Sequence, residues 1–251
     1  RYGTVLTGSI SSMELYRRCP FSWFGRHAAR LSERETAGLR DVGFGLLMHG
    51  VLDDVLAQVE AMGGWDALEP DALPPLVDQA VRKGVASGTG ISPLHPGLST
   101  WFAARLGKAA LTAAERVFRQ VRDGSFRPVG HELGFGGNGP FPPSILALPE
   151  GRYVRVVDYK SGDRTLSLAD IANGLSMQLP AYLAVALSSM RQDSGQVLPA
   201  GIFHMRLEPP DIRKQAGDAQ GAEADRQKRM RLTGYVLDDA QVLGAMDHQL
   251  A

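Results

Sequence analysis

The sequence is short of several things, and each shortage excludes a class of protein. It has one cysteine, Cys19, so it can form no internal disulfide and cannot build a zinc or iron–sulfur site from its own thiolates. A lone thiol fits a reducing, cytoplasmic setting. No run reaches the roughly eighteen apolar residues of a membrane-spanning helix, so none is predicted. The opening RYGTVLTGSISS lacks a basic stretch followed by an apolar one, and no secretion signal is read there. Neither sign of charge is in excess, with Lys+Arg and Asp+Glu at 27 each. That argues against nucleic-acid binding by bulk charge, while leaving room for a local basic channel. No G-x-x-x-x-G-K-[ST] loop occurs, so a nucleotide-driven motor has no support. Internal repeats and low-complexity tracts are also absent.

What is present describes an ordinary globular chain of 251 residues, 44% hydrophobic and 22% charged. That length suits one domain, or one domain with a large appendage. Two stretches are locally basic: Arg17, Arg18, Arg26, Arg30 and Arg34 near the start, and RQKRMR at 226–231. A solvated helix face is the plain alternative for each.

Periodicity divides the chain. SISSMELYRRCPFSWFGRHAARL reads as helical, with Ser11 or Ser12 as the cap and Pro20 as an interruption. A helix over Phe44–Met62 follows from Leu47, Val51, Val55 and Val59 at i+4 spacing. Residues 63–75 read as a connection, and further helices are predicted near 73–87 and 97–122. After Gly124 the character changes. PVGHELGFG, PSILALP and RYVRVVDYK are short and β-prone, a helix is predicted over 172–190, and VLPAGIFHMRL reads as another strand. Residues 208–224 read as an exposed loop, and a short helix over 238–250 closes the chain. The expected class is α/β or α+β, a small mixed sheet flanked by helices with a large helical N-terminal region. The expected division is 1–123 helical, 124–207 sheet core, and 208–251 loop and helix, all within one domain.

VRVVDYKSG, residues 154–162, carries the most chemistry. Alternate side chains of a strand share a face, so Asp158 and Lys160 point the same way with Val156 behind them. A carboxylate can hold Mg²⁺ or Mn²⁺, and a lysine beside it can position water or offset charge on a phosphate. D-x-K alone is more often an ordinary surface ion pair where a strand runs into a turn. His49, in GFGLLMHG, offers one imidazole nitrogen, although a lone histidine among apolar residues is more often a packed one. Gln178 and Tyr182, in QLPAY, share a helical face four residues apart, placed for substrate or metal-bound water. Their plain alternative is an exposed amide and a core tyrosine. Cys19-Pro20-Phe21 reads, taken alone, as helix packing around a buried thiol.

The ordered set S-x-S-x-x-E-x-Y-x-x-C-P-F, G-x-x-x-x-H, V-D-Y-K-S-G and Q-L-P-x-Y resembles the RecB-like branch of the PD-(D/E)XK nuclease superfamily. Its pattern is most similar to the AddB-type C-terminal nuclease domains of AddAB helicase–nucleases, from about Ser9 to Asp247. The resemblance implies a metal-dependent deoxyribonuclease that resects double-strand breaks, with an AddA-type helicase partner and single-stranded DNA as substrate. It implies His49 and Asp158 as metal ligands, Lys160 as the catalytic lysine, and Gln178 and Tyr182 as a supporting motif. Cys19 becomes the first of four ligands of a [4Fe–4S] cluster. Arg17, Arg18, Arg26 and Arg30 become contacts that guide DNA.

Two departures accompany the resemblance. The family places a second metal-binding aspartate in a strand just before D-Y-K, and PSILALP runs here almost directly into EGRYVRVVDYK. Either a segment near Pro149–Glu150 is absent, which the intact surroundings favour, or the site has lost a ligand. Three further cluster cysteines are also missing from this sequence. Glu132, on the first predicted strand, is a weaker candidate. A catalytically inactive DNA-end-binding or scaffold domain, and a free-standing RecB-like exonuclease, are the alternative functions.

Overall fold

The computed structural model describes residues 8–31, 41–87, 96–128, 143–148, 151–160, 162, 165–194, 196–207, 221 and 228–248. Glu132, Arg34, residues 149–150 and all but one residue of the predicted 208–224 loop lie outside them.

Helix α1 spans Ile10–Arg18. Its cap is Ser9 rather than Ser11 or Ser12: Ser9 is extended, and its hydroxyl accepts from Ser12 N at 3.1 Å. The Ser12 hydroxyl is engaged elsewhere, accepting from Trp23 Nε1 at 2.7 Å. Pro20 does restart the chain. It opens α2 (Pro20–Trp23), where its missing N–H leaves nothing unpaired, and a π-helical turn continues to Ala28. Cys19 links the two helices, half-buried, with its sulfur 3.5 Å from Ser22 N.

Three longer helices follow: α3 (Asp41–Ala61), α4 (Leu73–Ala86) and α5 (Pro96–Arg122). The 63–75 connection contains two short 3-10 turns, Trp65–Ala67 and Pro70–Ala72. The i+4 series of α3, Leu47, Val51, Val55 and Val59, is buried as expected, and Met48 beside it is fully enclosed. They pack with Leu73 and Val77 of α4 and with Phe102, Leu106 and Ala110 of α5.

Among the described residues the sheet has five strands in spatial order β1-β2-β3-β4-β5. They are β1 (Arg127–Pro128), β2 (Pro143–Leu148), β3 (Gly151–Lys160), β4 (Val197–Arg206) and β5 (Thr233–Val236). Only the β3–β4 pair is parallel. A parallel pair needs a crossover, and α6 (Leu168–Ala172) and α7 (Gln178–Ser194) supply it. The helix predicted over 172–190 is α7, which starts later, at Gln178, and a short helix α6 precedes it; the two are separated by 173–177, where Gly174 adopts φ +70°.

Strand β3 is buried on both faces. Val154 and Val156 pack with Leu179 and Ala186 of α7, while Val157 and Tyr159 join the core of α3–α5 with Met205 and Leu207. The helical region and the sheet therefore share one apolar core. Strand β5, not anticipated from the sequence, is anchored by Tyr235, whose hydroxyl donates to Leu166 O at 3.1 Å and accepts from Leu168 N at 3.2 Å. Helix α8 (Ala240–Met246) closes a smaller cluster through Val242 and Ala245 against Phe126 and Tyr153. Among the described residues no helix is long and apolar enough to cross a membrane.

Candidate active site

The alternation of β3 sets the site. Val154, Val156, Asp158 and Lys160 project on the α7 side, with valines packed beneath the helix and the two charged residues emerging near its start. Asp158 is buried, 7% exposed, and its Oδ2 lies 2.7 Å from Lys160 Nζ. The ammonium also donates to Gln178 Oε1 at 2.9 Å, and Gln178 Nε2 donates to the Tyr182 hydroxyl at 2.8 Å. The two sequence motifs are thus one contiguous polar chain: carboxylate, ammonium, amide and phenol. Burial raises the Tyr182 pKa, partly offset by the Gln178 hydrogen bond, so it stays a neutral phenol at ordinary pH.

Sequence reasoning missed His204. The β3–β4 register pairs Asp158 with His204, and the imidazole Nε2 lies 3.6 Å from Asp158 Oδ2. The buried histidine stands too far away for a good hydrogen bond to that oxygen and close enough to share a small ion with it. The signal available was the HMR at the end of an apolar strand, but no local pattern fixes a register.

His49 lies on α3 with its ring centroid 6.4 Å from that of Tyr159. Burial lowers its pKa, the charge of Asp158 raises it and that of Lys160 lowers it. His49 is therefore held neutral, the form that binds metal. Even so, among the described residues no three His, Cys, Asp or Glu side chains gather as a metal site. What does fit a divalent cation is narrower. Asp158 Oδ2 is buried and has no aligned hydrogen bond despite its ion pair, and an imidazole stands beside it. Asp158 and His204 would hold the ion, with His49 nearby. No residue of PSILAL in β2 is acidic, and Leu148 pairs directly with Gly151, so the described strands before Asp158 offer no second carboxylate.

A cleft of about 620 Å³ opens over the site, reaching from Lys160, Gln178 and His204 to Ser9, Glu14, Arg18 and Arg26. Of the four arginines singled out in the sequence, Arg18 and Arg26 line it. Arg17 instead donates from Nε to Asn173 O at 3.1 Å, and Arg30, exposed with φ +56°, follows the π-helical turn. Cys19 does not line the cleft, and hydrogen bonding from Ser22 lowers its pKa.

The lysine of a buried D-x-K is thus held by a Q-x-x-x-Y helix at a cleft that Arg18 and Arg26 also line. Residues 7–248 match the PD-(D/E)XK nuclease superfamily. The chain belongs to that superfamily. Within it, the chain is 30% identical over 98% of its length to the AddB polypeptide of the ATP-dependent helicase/deoxyribonuclease of Caldanaerobacter subterraneus subsp. tengcongensis. Proteins of the same description from a Thermoanaerobacter species and from Acetivibrio thermocellus are 31% and 29% identical over 99% of the chain. The chain spans about a quarter of the length of these relatives, 23% to 24%. The first two alignments run over 269 and 276 positions, more than the 251 residues here, so the relatives carry residues with no counterpart in this PD-(D/E)XK chain.

Proposed function

We propose that this chain is the DNA-cutting domain of a helicase–deoxyribonuclease that resects double-strand breaks, working beside an AddA-type motor subunit. One observation carries the reading: Asp158, Lys160, Gln178 and Tyr182 form an unbroken set of polar contacts, and its two middle members, Lys160 and Gln178, line a cleft that Arg18 and Arg26 also line. The helicase/deoxyribonuclease names of the relatives support it. The helical region and the sheet act as one domain in this reading, since they share a core.

In this reading Mg²⁺ or Mn²⁺ supplies an activated water and a counter-charge for the phosphate. Asp158 and His204 would hold the ion; His49, which the resemblance names as a ligand, lies on α3 within electrostatic reach of Asp158. Lys160 places its ammonium against the charge that builds on the phosphate oxygens, and Gln178 fixes where that ammonium stands. Arg18 and Arg26 draw the backbone of a single DNA strand into the cleft, a salt-sensitive role. The second aspartate would belong to a segment absent near Pro149–Glu150, for which the longer alignments with the relatives leave room. Cys19 would supply one thiolate of the [4Fe–4S] cluster that the resemblance implies, and this sequence holds no second cysteine for it.

The test is degradation of end-labelled single-stranded DNA by the full-length protein with Mg²⁺ or Mn²⁺, compared with Lys160→Ala. Metal-dependent cutting that vanishes in the variant while DNA binding persists is the expected result. A parent that binds DNA and never cuts it would sustain the second reading, a DNA-end scaffold. The lack of a second carboxylate beside Asp158 among the described residues favours that reading. Peptide mapping that joined Pro149 directly to Glu150 in the native protein would remove the missing-segment explanation.

A further inference from the structure

Helix α7 begins at Gln178, and its first turn contains Pro180, which has no N–H to offer or to satisfy. The residue before it, Met177, has no side-chain oxygen to cap the helix. The amides of Met177 and Gln178 would therefore stand without partners, as the first amides of a helix do. Both are taken by one side chain from far away in sequence. Glu14 Oε1, on α1, accepts from Met177 N at 2.6 Å and from Gln178 N at 3.1 Å. A carboxylate at that end also meets the positive pole of the helix.

The same helix α1 is latched a second time, through Arg17 Nε to Asn173 O at 3.1 Å. Gly174 is needed there, because a Cβ would lie 3.3 Å from the Arg17 side chain and the residue has φ +70°. Helix α1 has no fully buried residue, and these polar bonds tie it to the segment before α7. Together they strap α1 across the 173–178 segment, and that segment ends at the residue whose side chain holds Lys160.

We propose that Glu14 is a positioning residue for Lys160. By fixing the start of α7, it sets where the Gln178 amide stands and hence where the lysine ammonium is held beside Asp158. This rests on the nuclease reading, in which the ammonium position matters to the rate. It also gives the glutamate of SISSMELY a task. Glu14 and Arg17 are three apart, so they share a face of α1 and both reach the segment before α7. Glu14 also lines the cleft, so a competing role exists, as a direct ligand of the metal. The two roles make opposite demands on charge. Capping needs an acceptor oxygen, which glutamine keeps; ligation needs a carboxylate, which glutamine lacks.

The experiment compares Glu14→Ala, Glu14→Gln and Lys160→Ala in the full-length protein. Single-turnover cleavage of end-labelled DNA, DNA affinity, and amide hydrogen exchange across 174–182 are measured for each. For Glu14→Ala we expect faster exchange at Met177 and Gln178 and a cleavage rate lower by on the order of 10- to 100-fold with DNA affinity unchanged. Glu14→Gln should recover most of both losses. Loss of cutting in Glu14→Gln with exchange still slow would make Glu14 a ligand and overturn the proposal. Glu14→Ala that exchanges faster yet cuts like the parent overturns it too, because the strap would then be structural only. If Lys160→Ala itself cuts normally, the nuclease reading falls, and the exchange data report separately whether the strap exists.

Discussion

The ammonium of Lys160 donates to the side-chain oxygen of Gln178, 2.9 Å away across the gap between β3 and the start of α7. A lysine on a four-carbon stem has many rotamers, and this bond, with the Asp158 contact, selects one of them. Gln178→Ala should lower the cleavage rate by about 10- to 100-fold, since a hydrogen bond to a charged group contributes roughly 1.5–3 kcal/mol. DNA affinity should hold. A rate within about twofold of the parent, well under the 1.4 kcal/mol of a tenfold change, would show that Lys160 finds its place without the amide.

His204 faces Asp158 from the neighbouring strand at 3.6 Å. If its imidazole joins the ion held by Asp158, His204→Ala should weaken Mn²⁺ binding by about 10- to 100-fold, the scale on which metal-site partners act. Titration of free Mn²⁺ by electron paramagnetic resonance reads this without any turnover. An unchanged affinity would reduce His204 to packing.

Tyr159 is buried next to Asp158, and burial, reinforced by the charge of Asp53, pushes its pKa well above the ordinary tyrosine value. The sign follows from linkage. Below about pH 10 both folded and unfolded chains hold the proton, and above it only the folded one does. Stability should therefore fall as pH rises past about 10, by up to roughly 1.4 kcal/mol per pH unit from this group. Urea unfolding of Tyr159→Phe should show a correspondingly flatter alkaline limb. Parallel limbs for the two proteins would mean that the phenol ionises in the folded state.

Leu106 of α5 is fully buried in the core that also contains Val157, Tyr159 and Met205 of the sheet. Leu106→Ala should cost about 2–5 kcal/mol. Because the core is shared, the loss should shift one cooperative transition, seen equally by far-ultraviolet and aromatic circular dichroism. Two separated transitions would mean that the helices and the sheet unfold as separate units.

The sequence by itself determined what depends on near neighbours in the chain. The i+4 series of α3, the Pro20 restart, the apolar run of β3, and the shared faces of Asp158 with Lys160 and of Gln178 with Tyr182 are all local consequences of helix and strand periods. The tertiary structure decided what depends on register and docking. The one-residue shift between Val154↔Pro199 and Arg155↔Gly201 sets which β4 side chain stands against Asp158, and one more slip would turn His204 to the other face. The break between α6 and α7 and the true cap at Ser9 likewise follow from partners distant in sequence, which claim Ser12, Asn173 and Met177. Glu14 could be read only as a letter in a motif. Its bonds to the start of α7 exist because α1 docks there, and docking is a property of the folded surface that no local pattern encodes.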